Sequence, residues 1–275
     1  MKTNRVGACL YCGLFLLPLL AACHTVKTTE AGAVGVNRTQ HMSVSEQEIE
    51  QGAAQAYNQQ VAQARANGVL NTDPAQTVRV RKIAARLIDQ TDAFRKDAKG
   101  WSWQINVLST RDLNAYCMPG GRIMVYTGLI DKLSLTDAEL ATVLAHEIAH
   151  ALREHSREQV SRAMAQQTGL AVLGALAGLG DAPMQVASEI SNVTFNLPRS
   201  RAQETEADQI GLELMARGGF DPHSAVDVWK KMIKAGQGGT PGFFSTHPSS
   251  STRIADIEKL IPKVEPLYKD ATRSP

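Results

Sequence analysis

Five residues, His146-Glu147-Ile148-Ala149-His150, set two imidazoles four positions apart with a carboxylate directly after the first. On a helix, at about 100° per residue, the two rings differ by about 40° and can reach one ion. Glu147 lies about 100° round from His146, near enough to take a proton from water at that ion without ligating it. Neutral nitrogen donors, an open position and a nearby carboxylate are what hydrolytic zinc chemistry requires. The same five-residue pattern also arises by chance in amphipathic helices, so a third ligand decides.

Two arrangements could supply it. One places a further histidine six residues after the second, with a glycine at three; here those positions hold Ser156 and Arg153. His155 comes one residue early and, carried on along one helix, points about 180° from His146, so it reads as a surface or packing residue. The other arrangement takes a glutamate from a second helix. "SRAQETEAD", residues 200–208, offers Glu204 and Asp208 four apart on one face. Glu204 is then the third ligand, and Asp208 accepts a hydrogen bond from a ligand histidine. Glu206 falls about 200° from Glu204 and is excluded from that face. The expected cofactor is one Zn2+ ion per chain, held by His146, His150 and Glu204.

These residues need rigid elements. Thr136 with Glu139 forms a capping box, and Leu140, Val143, Leu144 and Ile148 follow at helical spacing, so the histidine motif falls on a helix. Other helices are expected at 45–66, 74–94, 203–216, 222–234 and 252–260. "WSWQINVLS" alternates as a half-buried strand, and "NAYCMPGGRIMVYTGLI" reads as a strand, a Pro-Gly-Gly turn at 119–121 and a second strand through Tyr126. The apolar stretch 168–180 is shorter than the roughly 20 residues that span a bilayer, which favours a buried helix over a membrane-dipping hairpin. The expected fold is mainly α (α+β): a helical domain at 45–262 with a small β-sheet beside the cleft, then a tail at 263–275.

The N-terminus reads separately. Lys2 and Arg5 precede an apolar run, and Leu20-Ala21-Ala22-Cys23 resembles a bacterial lipobox. The expectation is a signal peptide at 1–22, lipidation at Cys23 and a lipid-anchored tether at 23–44. His24 after the cysteine points to the periplasmic face of the outer membrane rather than the inner membrane. Cys9 and Cys12 leave with the signal, so Cys117 stays as a small packing residue and no intrachain disulfide forms. The chain carries 29 Lys and Arg against 27 Asp and Glu, and losing Lys2 and Arg5 leaves it formally neutral, which argues against nucleic acid as a partner. With 43% hydrophobic and 20% charged residues, the composition is that of an ordinary globular protein.

In four segments, "NAYCMPGGRIMVYTGLI", "HEIAH", "SRAQETEAD" and "STHPSSSTRI", the chain resembles the HtpX, BepA and CAAX-prenyl-protease group of gluzincin metallopeptidases, including its lipoprotein branch. The resemblance implies a zincin-like fold with His146, His150 and Glu204 as zinc ligands, Glu147 as general base and Asp208 supporting a ligand. It implies that Gly121, Arg122, Ile123 and Met124 belong to a strand that pairs with extended substrate. It also implies that His247 and Arg253 lie on a loop returning to the site, where either could donate to the oxyanion and His247 could instead close the fourth zinc position. The paired long transmembrane helices of some relatives and the helical-repeat domain of others are not matched. The function implied is zinc endoproteolysis of unfolded or mis-assembled envelope proteins. The alternative is a chaperone or assembly factor for outer-membrane proteins with a latent zinc site. The implied partners are such clients, the membrane through the lipid, and outer-membrane assembly machinery.

Overall fold

The computed structural model describes residues 24–171, 182–236, 243–248 and 251–273. The order is β1 (His24–Val26), β2 (Gln40–Met42), α1 (Glu46–Ala66), α2 (Pro74–Ile88), β3 (Gln104–Leu108), β4 (Ala115–Met118), β5 (Arg122–Tyr126), α3 (Thr127–Lys132), α4 (Asp137–Leu152), α5 (His155–Ala171), α6 (Ala182–Phe195), α7 (Arg201–Arg217), α8 (Ser224–Gly236), α9 (Phe243–Thr246) and α10 (Arg253–Arg273). The protein is mainly α with a small sheet.

Helix starts follow side-chain chemistry. Thr136 and Glu139 form the capping box of α4, Ser200 and Gln203 that of α7, and Ser45 and Glu48 that of α1. The core gathers around α4, whose Leu140, Val143, Leu144 and Ile148 are fully buried, with Ile210 and Leu214 of α7, Trp229 of α8 and Ile257 of α10. In α10, Ile257, Ile261 and Val264 are buried, and the helix runs on to Arg273 across Pro262 and Pro266, although each proline removes a backbone donor. The stretch expected as a tail at 263–275 is therefore helix as far as it is described.

One sheet has strand order β3-β5-β4, with β5 parallel to β3 and antiparallel to β4. β5 is thus the middle strand, with both backbone edges already bonded. This corrects the expectation that the strand holding Gly121, Arg122, Ile123 and Met124 pairs with substrate. The outer strands are β3 and β4, and β4, whose Ala115–Met118 are all buried, also packs against α4.

Residues read as a tether at 23–44 pack onto the domain where they are described. β1 and β2 pair antiparallel, and Val34, Val36 and Met42 are buried. The proposed signal at 1–22, Cys23 and residues 172–180 of the apolar stretch lie outside the described residues. No described helix is long and apolar enough to cross a membrane.

Candidate metal centre

α4 carries His146, Glu147 and His150, all buried, because this helix is packed on every side. α7 crosses it and brings Glu204 to the rings: His146 Nε2 lies 3.6 Å from Glu204 Oε2, and His150 Nε2 3.4 Å from Glu204 Oε1. The two Nε2 atoms are 3.0 Å apart. His247, just after α9, adds a fourth donor, with Nδ1 3.1 Å from Glu204 Oε1 and 3.4 Å from His146 Nε2. One donor atom from each of His146, His150, Glu204 and His247 falls within 4.8 Å of the others.

Burial, reinforced by the charge of Arg199, pushes His150 well below the ordinary histidine range, which keeps it neutral and able to ligate. Burial alone would raise Glu204, but His247 and His150 outweigh it and hold the carboxyl well below its usual value. Two neutral-capable nitrogens, an anionic oxygen and a third imidazole match the donor preferences of zinc and its neighbours in the first transition row. Both oxygens of Glu147 and Oε2 of Glu204 are buried without a hydrogen-bond partner among the described residues. Such orphans are rare in native proteins, and a bound cation with its water would satisfy them.

His146 and His150 are each held from behind. His146 Nδ1 meets Asp208 Oδ1 at 3.0 Å, the carboxylate–histidine contact expected for Asp208. Arg253 Nη2 donates to the same oxygen at 2.7 Å, while its Nη1 lies 3.2 Å from Glu204 Oε2. The guanidinium carbon of Arg253 sits 3.4 Å from the Trp229 ring centroid. Arg253 therefore lies on the Nδ1 side of His146, engaged by two carboxylates and an aromatic face. Of the two residues read as oxyanion donors, Arg253 thus contacts Asp208 and Glu204 here, and His247 contacts Glu147. His247 is on the other side, with Nε2 3.4 Å from Glu147 Oε1 and its ring stacked on Phe243 at 4.1 Å.

A family model, Peptidase family M48, matches residues 74–261, more than half of the chain. The chain belongs to peptidase family M48. The cluster on α4 and α7 is where this M48 protein would hold a metal. Among its relatives is the mitochondrial metalloendopeptidase OMA1 of Saccharomyces cerevisiae, 34% identical over 184 residues, covering 62% of this chain and 51% of the relative. OMA1 of Bos taurus is 34% identical over 221 residues, covering 72% and 39%. The β-barrel assembly-enhancing protease of Escherichia coli is 26% identical over 220 residues, covering 75% and 43%. The chain spans about half the length of these relatives or less. The mitochondrial OMA1 proteins overturn the location expected from the N-terminus, and the M48 chain is not assigned to a bacterial outer membrane.

Sequence reasoning missed the supports of His150. α4 ends at Leu152, Glu154 takes a positive φ of 51°, and α5 begins at His155, so the chain reverses and the angle carried past the helix end does not apply. His155 is fully buried with Nδ1 2.7 Å from His150 Nδ1. Glu206, on the far side of α7 from Glu204, meets His155 Nε2 at 3.0 Å. Buried Arg199 donates to Gln159, and its backbone N–H donates to Thr246 beside His247. Cys117 is buried, and burial pushes its thiol up, away from the range of a reactive thiolate.

Proposed function

We propose that the protein is a zinc-dependent endopeptidase acting on extended segments of unfolded or mis-assembled proteins. The observation carrying this reading is Glu147: a buried carboxylate without a hydrogen bond among the described residues, one residue from His146 and beside His247 of the donor cluster. A structural zinc site is closed by its ligands and needs no such base. His146, His150 and Glu204 would hold the ion, which supplies Lewis acidity toward water and the scissile carbonyl. Glu147 accepts the proton of the attacking water on its carboxylate and returns it to the leaving amine.

Ala115–Met118 of β4 are buried in this closed arrangement; once uncovered, the outer edge of β4 would let an extended chain add a strand next to α4. Such pairing uses main-chain hydrogen bonds, so it selects unfolded chain over side-chain sequence. Phe243 N–H already donates to Leu113 O at 2.7 Å, just before this strand. The same segment puts His247 among the donors and next to Glu147. These contacts support a second element of the reading: α9 and His247 close the site, and substrate displaces them. An assembly factor with a latent site is the competing reading that this closed arrangement favours.

The test is cleavage of reduced, unfolded casein by the zinc-loaded protein and by Glu147→Gln. Cutting by the first and not the second supports the peptidase. Zinc bound with no cutting by either, also after His247→Ala, supports the assembly factor.

A further inference from the structure

His150 is not held from behind by a carboxylate, as His146 is by Asp208. Its Nδ1 meets another ring nitrogen, Nδ1 of His155, at 2.7 Å, and one of the two must donate. Nε2 of His150 faces Glu204 and His146 in the donor cluster, so the ring proton belongs on Nδ1 and is donated to His155. His155 then carries its own proton on Nε2 and donates it to Glu206 Oε2 at 3.0 Å. Each link fixes the next, and only one set of tautomers satisfies both bonds.

The chain ends on two arginines. Glu206 Oε2 also accepts from Arg153 Nη2 at 3.1 Å, and Glu206 Oε1 accepts from Arg38 Nε at 2.6 Å. Arg38 lies between β1 and β2 and reaches across to Glu158 of α5 as well, at 2.6 Å. Gln40 donates to Arg153 O at 2.7 Å, and Arg153 Nη2 donates to Arg38 O at 2.9 Å. The N-terminal segment is therefore bonded to the same carboxylate that terminates the histidine pair.

We propose that His155 and Glu206 are positioning residues for His150, fixing its ring and tautomer so that Nε2 faces the metal, and that Arg38 of the N-terminal segment locks this chain. The inference rests on His150 being a ligand, as in the reading above. A histidine inserted between ligand and carboxylate lets a residue on the far face of α7 act on a ligand that Asp208 does not reach. It also makes the docking of residues 24–44 part of the metal site.

The test measures zinc release to a chromophoric chelator from the zinc-loaded full chain, and the visible absorption of the cobalt-substituted protein. His155→Phe removes the acceptor and should speed release by about 10- to 100-fold and shift the cobalt bands. His155→Asn, whose amide oxygen falls near the Nδ1 position, should retain part of the slow release. Arg38→Met should release zinc faster than wild type but more slowly than His155→Phe. Tyr57→Phe loses a buried hydrogen bond to Ile123 O that shares no residue with this chain and should release zinc at the wild-type rate despite lower stability. Should His155→Phe fail to fold, His155→Asn and Arg38→Met carry the comparison. Wild-type release rates and unshifted cobalt bands in both would overturn the proposal while leaving the metal site intact. Zinc retained unchanged in His150→Ala would instead overturn the reading of His150 as a ligand, and this inference with it.

Discussion

Gly211 of α7 lies against the backbone of His146: a Cβ built on Gly211 would stand 3.0 Å from His146 N and 3.1 Å from its Cα. Backbone atoms in a buried helix cannot give way as a flexible side chain would, so α7 crosses α4 this closely only because residue 211 has no side chain. The crossing brings Glu204, two turns earlier on α7, to the two imidazoles.

Gly211→Ala is expected to push the helices apart and lower stability by about 1–3 kcal/mol, the usual range for overpacking. It should also weaken metal binding, because Glu204 moves with α7. Thermal unfolding and zinc titration check this, and an alanine variant with unchanged zinc affinity would show that the crossing does not set the ligand geometry.

His247→Ala is expected to leave zinc bound through His146, His150 and Glu204 while raising the rate of casein cleavage. The variant removes the donor that lies 3.4 Å from Glu147 Oε1. A loss of cleavage with zinc retained would assign His247 to the oxyanion instead.

Glu158 gives the protein an acid-sensitive joint. Burial pushes its carboxyl up, but hydrogen bonds from Arg38, Gln40 and Gln203 outweigh this and hold it at about 2. The folded value lies below the unfolded one, so the unfolded chain binds the proton first. The stabilisation is complete above the ordinary value of 4.5 and is lost as pH falls from there to about 2. The loss amounts to about 3 kcal/mol at most. Glu158→Gln should flatten this limb of the stability profile, which denaturant unfolding at a series of pH values measures.

Removing zinc with a chelator should lower the unfolding temperature. The bound ion stabilises by about 4 kcal/mol when free zinc exceeds its dissociation constant a thousandfold. Calorimetry with and without chelator checks this, and the shift should shrink in Glu204→Gln.

Much of the site is legible in local sequence because helix spacing and capping are local properties. Thr136 and Glu139 fix where α4 begins, and the four-residue spacings of His146 with His150 and of Glu204 with Asp208 give their shared faces, although α7 begins at Arg201, two residues before the expected start. What is not legible depends on chain reversals and non-local pairing. The positive φ at Glu154 ends the helical phase and returns His155 to His150, which no periodicity shows. The middle place of β5 arises from parallel pairing with β3 across an intervening strand. Arg38 lies in a stretch without periodicity, yet it bonds two buried carboxylates more than a hundred residues away. Pro262 and Pro266 each remove a backbone donor, but the buried face of α10 outweighs this and the helix runs past the expected end at 260.

The most direct test is a crystal structure of the zinc-loaded Glu147→Gln protein. The account predicts one zinc ion with His146 Nε2, His150 Nε2 and Glu204 at about 2.0–2.2 Å, and residue 147 close by but not bound. Zinc held elsewhere, or held without Glu204, would contradict it.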